Sequence, residues 1–358
     1  MTAPDPNGPI LITGGAGFIG SNLADRIASA GHRVLVLDSL ARPGVEANAL
    51  WLKGRHGDRV HLLVEDIRDA EAVERAVAPA RAVFHLAAQV AVTHSLVDPR
   101  ADFAINLQGT MNLLEALRAR RAAVPLVFAS TNKVYGDLAD IPLALRDGAY
   151  HPVDDILRKR GIGEDRPLDF HTPYGCSKGA ADQYVLDYAR SFGLPAAVLR
   201  MSCIYGPRQL GTEDQGWVAH FLIRAMRGEA ITVYGDGCQV RDVLFVDDAV
   251  EAYMRVWEAL RQPDSPLHGR AFNLGGGPGN AVSLRQIIGH IEALTGRKMD
   301  LAFEPWRAGD QRYFVADTRR LSRDLDLPAP TPWRTGLARL ADWLTVATRE
   351  RTQRQVEA

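Results

Sequence analysis

The alternation of short apolar runs with helical patterns constrains the fold of this chain more than any other feature of its sequence. Apolar runs rich in strand-forming residues recur through the first half, at 9–13, 33–38, 60–66, 82–88, 125–130 and 196–202. Helical patterns lie between many of them, at 18–30, 69–77, 99–120 and 174–191. Strands and helices that alternate at this spacing form βαβ units with right-handed crossovers. The first half is therefore predicted to be an α/β domain with a Rossmann-type, doubly wound parallel sheet.

The alternation loosens after about residue 203, where glycine and proline interrupt the chain more often. A loop-rich stretch is predicted at 137–172, and further helices are predicted at 216–227, 247–261, 283–295 and 334–348. The sequence thus predicts a Rossmann domain over 1–203 with a returning segment near 240–275, a smaller mixed α/β lobe over 204–350, and a polar tail over 351–358. The smaller lobe is expected to close over the carboxyl edge of the sheet.

Composition narrows the functional classes. The 358 residues are 46% hydrophobic and 24% charged, as in an ordinary soluble globular protein. A formal net charge of −1 gives no electrostatic reason to expect a nucleic acid or an anionic membrane as partner. No apolar run is long enough to span a bilayer, and the start MTAPDPNGP lacks the basic and apolar regions of a signal peptide. Because Cys176, Cys203 and Cys238 are odd in number and have no metal-binding spacing, we expect a cytoplasmic protein with reduced thiols and no metal site.

A glycine-rich turn directly follows the first predicted strand. Gly14, Gly17 and Gly20 lie in the segment TGGAGFIG, in which Phe18 and Ile19 open the next helix. Glycine permits the backbone angles of a tight turn, lets a pyrophosphate approach the main chain and allows the helix to pack closely on the strand. The N–H groups at the start of the helix then face the phosphates. This order of strand, glycine turn and helix predicts a dinucleotide site.

Asp38, at the end of the second predicted strand, indicates which dinucleotide binds. A carboxylate at this place accepts hydrogen bonds from ribose hydroxyl groups and repels a 2′-phosphate, so NAD is favoured over NADP. Arg42 is the nearby residue that would favour NADP. It lies in a loop with proline and glycine, where an arginine that is simply solvated is the simpler explanation. Five residues at the ends of the next two strands either contact the cofactor or have no role beyond ending the strand. They are Asp66, Ile67, Leu86, Ala87 and Ala88.

A tyrosine and a lysine share one face of a predicted helix, because Tyr174 and Lys178 are four positions apart. A nearby ammonium stabilises a phenolate and lowers the pKa of tyrosine towards the working range. The strand that ends in FAST places the hydroxyl of Thr131 at the edge of the sheet where open α/β folds bind their ligands. A Tyr-x-x-x-Lys pair alone is common by chance, but its combination with the dinucleotide turn and the hydroxyl is specific.

Landmarks of a known family recur along the chain in the family's order, namely TGGAGFIG, LAA, NLQGT, VYG, the Tyr-x-x-x-Lys pair, YGP and RDV. From about residue 9 to 345 the sequence resembles the extended short-chain dehydrogenase/reductases that act on sugar nucleotides, the NAD-dependent epimerase/dehydratase family. The resemblance implies that Tyr174 is the acid/base, that Lys178 lowers its pKa and holds the nicotinamide ribose, and that Thr131 hydrogen-bonds the reacting sugar hydroxyl. It also implies that Asn106 lies near the catalytic lysine and the cofactor.

The two residues after Thr131 distinguish between chemistries within this family. Asn132 and Lys133 stand where the family's 4,6-dehydratases resemble Asp-Glu. Because elimination of water needs a carboxyl acid and a base, the replacement favours epimerisation, with Asn132 as a catalytic residue and both side chains at the substrate. The segments STNKVYG, 168–195 and 200–209 resemble the CDP-paratose (CDP-tyvelose) 2-epimerases. This subgroup implies C2 epimerisation of a CDP-hexose, of the CDP-paratose/CDP-tyvelose or CDP-glucose type, through a transient keto sugar.

A sugar nucleotide brings a second pyrophosphate, for which the smaller lobe needs cations. The resemblance implies that Arg241 and Arg307 bind it, and guanidinium groups suit phosphate through their bidentate donors. Further predicted substrate contacts are Cys203, Gln215, Gly216 and Trp217. A place in the core explains Cys203 and Trp217 equally well. The family also implies a homodimer or homotetramer, formed through the helices near 99–120 and 174–191.

Three functions stay open at this point. The favoured one is an NAD-dependent nucleotide-sugar epimerase that acts at C2. The second is a 4-epimerase or another sugar-nucleotide dehydrogenase of the same fold, acting for instance on a UDP-sugar. The third is a catalytically idle NAD-binding sensor or scaffold, against which the intact set of Thr131, Tyr174 and Lys178 argues. The sequence does not separate recognition of cytosine from recognition of uracil.

Overall fold

The computed structural model describes residues 5–120 and 122–357, with side chains described up to residue 347. Its strands are β1 (Ile10–Thr13), β2 (Val34–Asp38), β3 (Val60–Val64), β4 (Ala82–His85), β5 (Leu126–Thr131), β6 (Leu143–Arg146), β7 (Ala149–Pro152), β8 (Ala196–Met201), β9 (Cys203–Tyr205), β10 (Ile231–Tyr234), β11 (Val240–Phe245), β12 (Arg270–Leu274), β13 (Ala281–Ser283), β14 (Leu301–Glu304) and β15 (Tyr313–Phe314).

Its α-helices are α1 (Phe18–Ser29), α2 (Val45–His56), α3 (Ala70–Val77), α4 (Val92–Val97), α5 (Pro99–Phe103), α6 (Gly109–Ala119), α7 (Asp155–Arg160), α8 (Thr172–Phe192), α9 (Trp217–Arg227), α10 (Val246–Leu260), α11 (Leu284–Thr295), α12 (Arg319–Leu325) and α13 (Trp333–Glu357). A π-helical turn over Ala104–Gln108 joins α5 to α6. Short 3₁₀ turns cover Gly57–Arg59, Asn132–Tyr135 and Pro278–Asn280.

The centre of the molecule is a seven-stranded parallel sheet in the order β12-β8-β5-β4-β1-β2-β3. The order reverses beside β1, which pairs with β2 on one side and with β4 on the other. In sheets of this kind, ligands bind at the carboxyl ends of the strands, next to such a reversal. The sheet confirms the predicted Rossmann-type α/β fold.

Helices cover both faces of this sheet, as the continuous burial of its inner strands requires. Along each strand the side chains alternate between two cores: in β1, Ile10 and Ile12 pack with α1 and α10, whereas Leu11 packs with α3, α6 and α8. The same alternation runs through β5, where Val127 faces the first core and Phe128 the second. The helix α8 that carries the predicted Tyr-x-x-x-Lys pair is therefore fixed against β5.

Some elements were not predicted from the sequence. Helix α2 carries little apolar periodicity in VEANALWLKGRH, and only one of its faces is buried. The stretch 137–172, predicted as loop, contains the antiparallel hairpin β6–β7 and the helix α7, which Asp154 caps. The predicted helix over 99–120 is present, but the π-helical turn interrupts it.

The smaller lobe has its own core. Strand β11 pairs with β9, β13 and β15, while β10 pairs with β14. Helices α9, α11 and α13 supply most of the apolar side chains of this core, and Ser283 and Gln286 form a capping box at the start of α11. Strand β12 and helix α10 pack with the central sheet, whereas β11 belongs to the smaller lobe.

The carboxyl-terminal helix α13 extends past the predicted bounds of 334–348. Its backbone stays helical through Glu357, so helix replaces most of the polar tail predicted over 351–358. The side chains of that stretch, and Ala358 altogether, lie outside the described residues.

The part of the chain that the structure describes contains neither a membrane-spanning helix nor a cluster of metal-binding side chains. None of its helices combines the length and the apolar character needed to cross a membrane. None of its clusters of histidine, cysteine, aspartate or glutamate has the three members that would hold a metal ion.

Candidate active site

The glycine turn lies between β1 and α1, at the carboxyl edge of the central sheet. Gly14 has a φ of +69°, and a Cβ atom there would lie 2.7 Å from the backbone nitrogen of Ala87. A Cβ atom at Gly20 would lie 2.3 Å from the carbonyl oxygen of Gly14. Because both approaches exclude any side chain, these glycines let the turn pack against the segment after β4 and against its own helix.

The start of α1 is suited to bind phosphate. Gly17 is its N-cap residue and carries no side chain to cap the helix, and a Cβ atom there would meet only the carbonyl of Gly14 at 3.1 Å. Phe18 and Ile19 are partly buried and pack on the core, so their N–H groups begin the helix from a fixed position. The first-turn N–H groups have no acceptor within the helix and remain available to an anion. These residues fit the pyrophosphate of a dinucleotide.

Asp38 ends β2 and faces the glycine turn. Its Oδ2 accepts a hydrogen bond from the N–H of Ala16 at 2.9 Å, and its Oδ1 accepts one from the N–H of Leu40 at 2.9 Å. A carboxylate has further lone pairs beyond these two bonds, so Asp38 both fixes the turn and can accept from ribose hydroxyl groups. This position fits NAD.

The other predicted cofactor residues line the strand ends around this turn. Asp66 is engaged by Arg68 through both carboxylate oxygens, at 3.0 and 2.6 Å, and this pairing lowers the pKa of Asp66. Ile67 is buried under α6, where a Cβ atom at Gly109 would lie 2.7 Å from its side chain. The segment that follows β4 is partly buried and crosses the glycine turn, and it contains Leu86, Ala87 and Ala88.

The environment of Arg42 differs from the sequence-based interpretation. Solvation was the expected explanation, yet its guanidinium donates to the carbonyl oxygen of Leu210 at 2.9 Å and to the side chain of Gln215. Gln215, predicted to contact the substrate, thus faces the loop beside Asp38. Sequence reasoning missed this contact because the two side chains lie 173 positions apart.

Thr131, Tyr174 and Lys178 meet where α8 packs on the end of β5. Thr131 ends the strand, and its hydroxyl accepts the N–H of Lys133 at 3.2 Å and hydrogen-bonds the side chain of Tyr174. The ammonium of Lys178 donates to the carbonyl oxygen of Ala129 at 2.7 Å. These three side chains are buried, as is that of Asn132, the fourth predicted catalytic residue.

Burial is the largest influence on the pKa values of Tyr174 and Lys178. It raises the pKa of Tyr174 to about 12, although the hydrogen bond with Thr131 acts in the opposite direction. It lowers the pKa of Lys178 to about 7, while the charges of Asp182 and Asp102 act to raise it. This direction is opposite to the predicted lowering of the tyrosine pKa by a neighbouring ammonium, because desolvation is its largest cause and Lys178 donates to the strand backbone.

A buried polar network that the sequence analysis missed lies next to the pair. The Asp102 carboxylate, on α5, accepts hydrogen bonds from Ser177 and, at 2.8 Å, from Gln89. Asn106 donates to Asp102 at 3.1 Å and to Ser177 at 3.1 Å, and accepts the N–H of Gln89 at 2.9 Å. Burial raises the pKa of Asp102. The four-residue spacing of Asp102 and Asn106, which puts both on one helix face, was the available signal.

Asn132 and Lys133 reach across to the smaller lobe. Asn132 Nδ2 donates to Gln311 Oε1 at 3.1 Å, and its Oδ1 accepts the Thr131 hydroxyl at 3.4 Å, so its catalytic role stays a prediction. Lys133 Nζ donates to the carbonyl oxygen of Gly309 at 3.0 Å and lies 3.6 Å from the carboxylate of Asp310. Both side chains therefore hold the segment that follows Arg307.

The two predicted phosphate ligands are already paired with carboxylates. Arg241 is buried and donates to Asp310 at 2.7 Å. Arg307 lies 3.3 Å from a carboxylate oxygen of Asp214, and its guanidinium carbon lies 3.8 Å from the centre of the Tyr234 ring. The structure thus places both arginines beside acidic residues of the smaller lobe.

The remaining predicted substrate residues lie together at the start of α9. Trp217 Nε1 donates to Cys203 Sγ at 3.4 Å, and both residues pack at the edge of the smaller lobe's core. Gly216 is the N-cap residue of α9 with a φ of +73°, and a Cβ atom there would lie 2.7 Å from the side chain of Gln209. Burial raises the pKa of Cys203, so its thiol is not an activated nucleophile.

Comparison with known proteins identifies the family. The model of the NAD dependent epimerase/dehydratase family matches residues 10–275, which is most of the chain. The chain belongs to this family.

Membership in the NAD dependent epimerase/dehydratase family confirms the predictions of an enzyme and of NAD as its cofactor. A CDP-paratose 2-epimerase of Salmonella typhi is 41% identical over 93% of this chain and 98% of that protein. A UDP-glucose 4-epimerase of Mycolicibacterium smegmatis is 30% identical over 93% of this chain and 97% of that protein. The solved structure of a Thermus thermophilus UDP-glucose 4-epimerase in complex with NAD is similar with a TM-score of 0.77, at 32% identity, covering 94% of this chain and 98% of that one.

Proposed function

We propose that this protein is a nucleotide-sugar epimerase that inverts C2 of a CDP-hexose, of the CDP-paratose/CDP-tyvelose or CDP-glucose type. The sugar is oxidised to a keto sugar, reorients, and is reduced again on its other face. The similarity to the Salmonella typhi CDP-paratose 2-epimerase supports this substrate class. No net oxidation results, so one bound cofactor serves repeated turnovers.

Each of the three buried side chains has a role in this proposal. Tyr174 accepts the proton of the sugar hydroxyl and later returns it, and Thr131 hydrogen-bonds that hydroxyl. Lys178 holds the nicotinamide ribose, and Asn106 keeps the region near Lys178 ordered through its bonds to Asp102 and Ser177. When bound, NAD supplies the hydride acceptor and, in its oxidised form, a positive charge that favours the phenolate.

One observation carries the choice of epimerisation over dehydration. Neither residue that follows Thr131 has a carboxyl group, and both are engaged in holding the smaller lobe through Gln311, Gly309 and Asp310. Elimination of water requires a proton donor and a base beside the reacting hydroxyl groups. A carboxamide and an ammonium that are bound elsewhere do not supply them.

The smaller lobe is proposed to bind the nucleotide diphosphate. Arg241 and Arg307 would exchange part of their carboxylate contacts for phosphate oxygens, which guanidinium groups bind in a bidentate manner. Gln215, Gly216 and Trp217 border the same region from the start of α9, with Cys203 beneath Trp217.

The test is a panel of nucleotide sugars scored for epimer formation. With CDP-paratose and CDP-glucose, we expect the C2 epimer, retention of a deuterium label placed at C2, and no incorporation of solvent deuterium there. Absence of a C2 epimer, or loss of the C2 label to water, contradicts direct hydride transfer at C2.

A second candidate is 4-epimerisation of a UDP-sugar, which the similarity to UDP-glucose 4-epimerases favours. The same panel separates the two, because UDP-glucose would then give UDP-galactose whereas the CDP-sugars would not react. Net reduction of added NAD with accumulation of a keto product would instead indicate a dehydrogenase.

We further propose a homodimer or homotetramer in the cytoplasm. Phe103 on α5 and Tyr184 on α8 are 53% and 44% exposed, on helices that pack against each other. Exposed aromatic side chains on adjoining helices favour burial against a second copy. The three cysteines are free thiols, which supports a reducing compartment.

A further inference from the structure

Part of the smaller lobe lies directly against the glycine turn. Asn22 Nδ2, on α1, donates to the carbonyl oxygen of Pro207 at 3.1 Å. Asn48 Nδ2, on α2, donates both to the carbonyl oxygen of Ala16 at 3.1 Å and to that of Arg208 at 3.3 Å. One amide group thus joins the backbone of the glycine turn to the backbone of the segment 207–215, which we call the overlying segment.

Apolar contacts continue the same junction. Leu210, in the overlying segment, packs with Leu40 against a small buried cluster formed by Ala16, Val45 and Ala49. A Cβ atom at Gly44 would lie 2.8 Å from the Leu210 side chain. The overlying segment therefore lies in close contact with the loop between β2 and α2.

That loop carries two charged groups with different partners. Asp38, at its start, faces the glycine turn and fits the ribose of the cofactor. Arg42, four residues later, is half-buried and donates to the carbonyl oxygen of Leu210 at 2.9 Å and to the side chain of Gln215. Hydrogen bonds from a charged donor in a partly buried place are stronger than those between neutral groups.

We propose that Arg42 and Gln215 form a clasp that holds the overlying segment across the adenosine half of the cofactor site and so slows release of the cofactor. Arg42 is a positioning residue in this inference and does not touch the reacting atoms. The benefit rests on the proposed function, because an epimerase must keep its reduced cofactor until the keto sugar has turned over. If NADH left at that point, the keto sugar would remain bound with no hydride donor to reduce it.

The test measures release of NADH from the loaded protein and needs no sugar substrate. The holoprotein is reduced, mixed with excess unlabelled NAD, and followed by the loss of bound-NADH fluorescence. We expect Arg42→Met and Gln215→Met each to accelerate release about tenfold, and Arg42→Lys to give an intermediate rate because it keeps one charged donor. The double variant should release NADH no faster than the faster single variant, since both substitutions remove the same bond between Arg42 and Gln215.

Exposed Arg33→Met is the matched control, because it removes an arginine beside β2 without touching the overlying segment. It should release NADH at the rate of the unchanged protein. Release within twofold of that rate in Arg42→Met overturns the clasp. Acceleration in Arg42→Met with an unchanged rate in Gln215→Met also overturns it, because the effect would then not depend on the bond between Arg42 and Gln215. Failure of the proposed C2 epimerisation appears only in the sugar panel, so the two failures are distinguishable.

Discussion

At the scale of single residues, burial governs the chemistry of the site. Tyr174 has little access to water, which keeps its phenol protonated, and Lys178 is buried beside it, which favours the neutral amine. Burial thus shifts the two pKa values in opposite directions, upwards for Tyr174 and downwards for Lys178.

Tyr174→Phe should lower the turnover number by about 10²–10⁴-fold, because it removes the group proposed to accept and return the proton. The phenyl ring keeps the packing, so we expect NAD to remain bound. Epimer formation and the NAD content of the purified variant are the measurements. A variant that retains more than a tenth of the activity would contradict the acid/base role.

Lys178→Met should flatten the dependence of stability on pH. The unfolded chain holds the lysine proton up to the ordinary pKa of 10.5, whereas the folded chain releases it from about 7. In that window the unfolded state binds more protons, so the folded state gains stability as pH rises, by up to about 1.4 kcal/mol per pH unit. Urea unfolding of both proteins across the window should therefore give a difference that grows with pH. A constant difference would mean that Lys178 stays charged in the folded protein.

At the scale of elements, the 3₁₀ turn after β5 links the two lobes. It begins with the Thr131 cap, and its next two side chains hold the segment 309–311 of the smaller lobe. Asn132 and Lys133 stand where the resemblance places the acid and the base of the 4,6-dehydratases. In this protein, both side chains hold the segment that follows Arg307.

Lys133→Met should weaken substrate binding more than it slows the chemical step. Without the ammonium, the carbonyl of Gly309 and the carboxylate of Asp310 lose a charged donor. We expect KM for the nucleotide sugar to rise about tenfold, or about 1.4 kcal/mol, with a smaller change in kcat. Lys133→Arg should recover part of the loss. A fall in kcat at unchanged KM would instead indicate that Lys133 acts on the reacting sugar.

The sequence predicted the elements that position the site because their signals are local. The apolar run before the glycine turn and the four-residue spacing of Tyr174 and Lys178 are both visible in a short window. Helix α2 was missed because its pattern in VEANALWLKGRH is weakly amphipathic and its contacts are tertiary. The hydrogen bond between Arg42 and Gln215 was missed because the residues near Arg42 in the sequence do not indicate a partner in the smaller lobe.

At the scale of the whole molecule, the exposed aromatic side chains on α5 and α8 lead to a prediction about assembly. Phe103→Glu should shift the mass in light scattering from dimer or tetramer towards monomer, because it puts a charge into the proposed contact. Leu145→Glu is a matched control, since Leu145 is 58% exposed on the hairpin β6–β7. A monomer for the unchanged protein, or an unchanged mass for Phe103→Glu, would contradict this interface.

The return of β12 to the central sheet affects how the chain folds during synthesis. Strand β8 ends at Met201, but its outer neighbour β12 begins only at Arg270, after β9, α9, β10, β11 and α10. While the ribosome makes the intervening residues, the outer edge of β8 has no strand to pair with and is open to pairing with other chains. Nascent chains are therefore expected to need chaperone protection until Arg270–Leu274 have left the ribosome, after which they can complete the sheet.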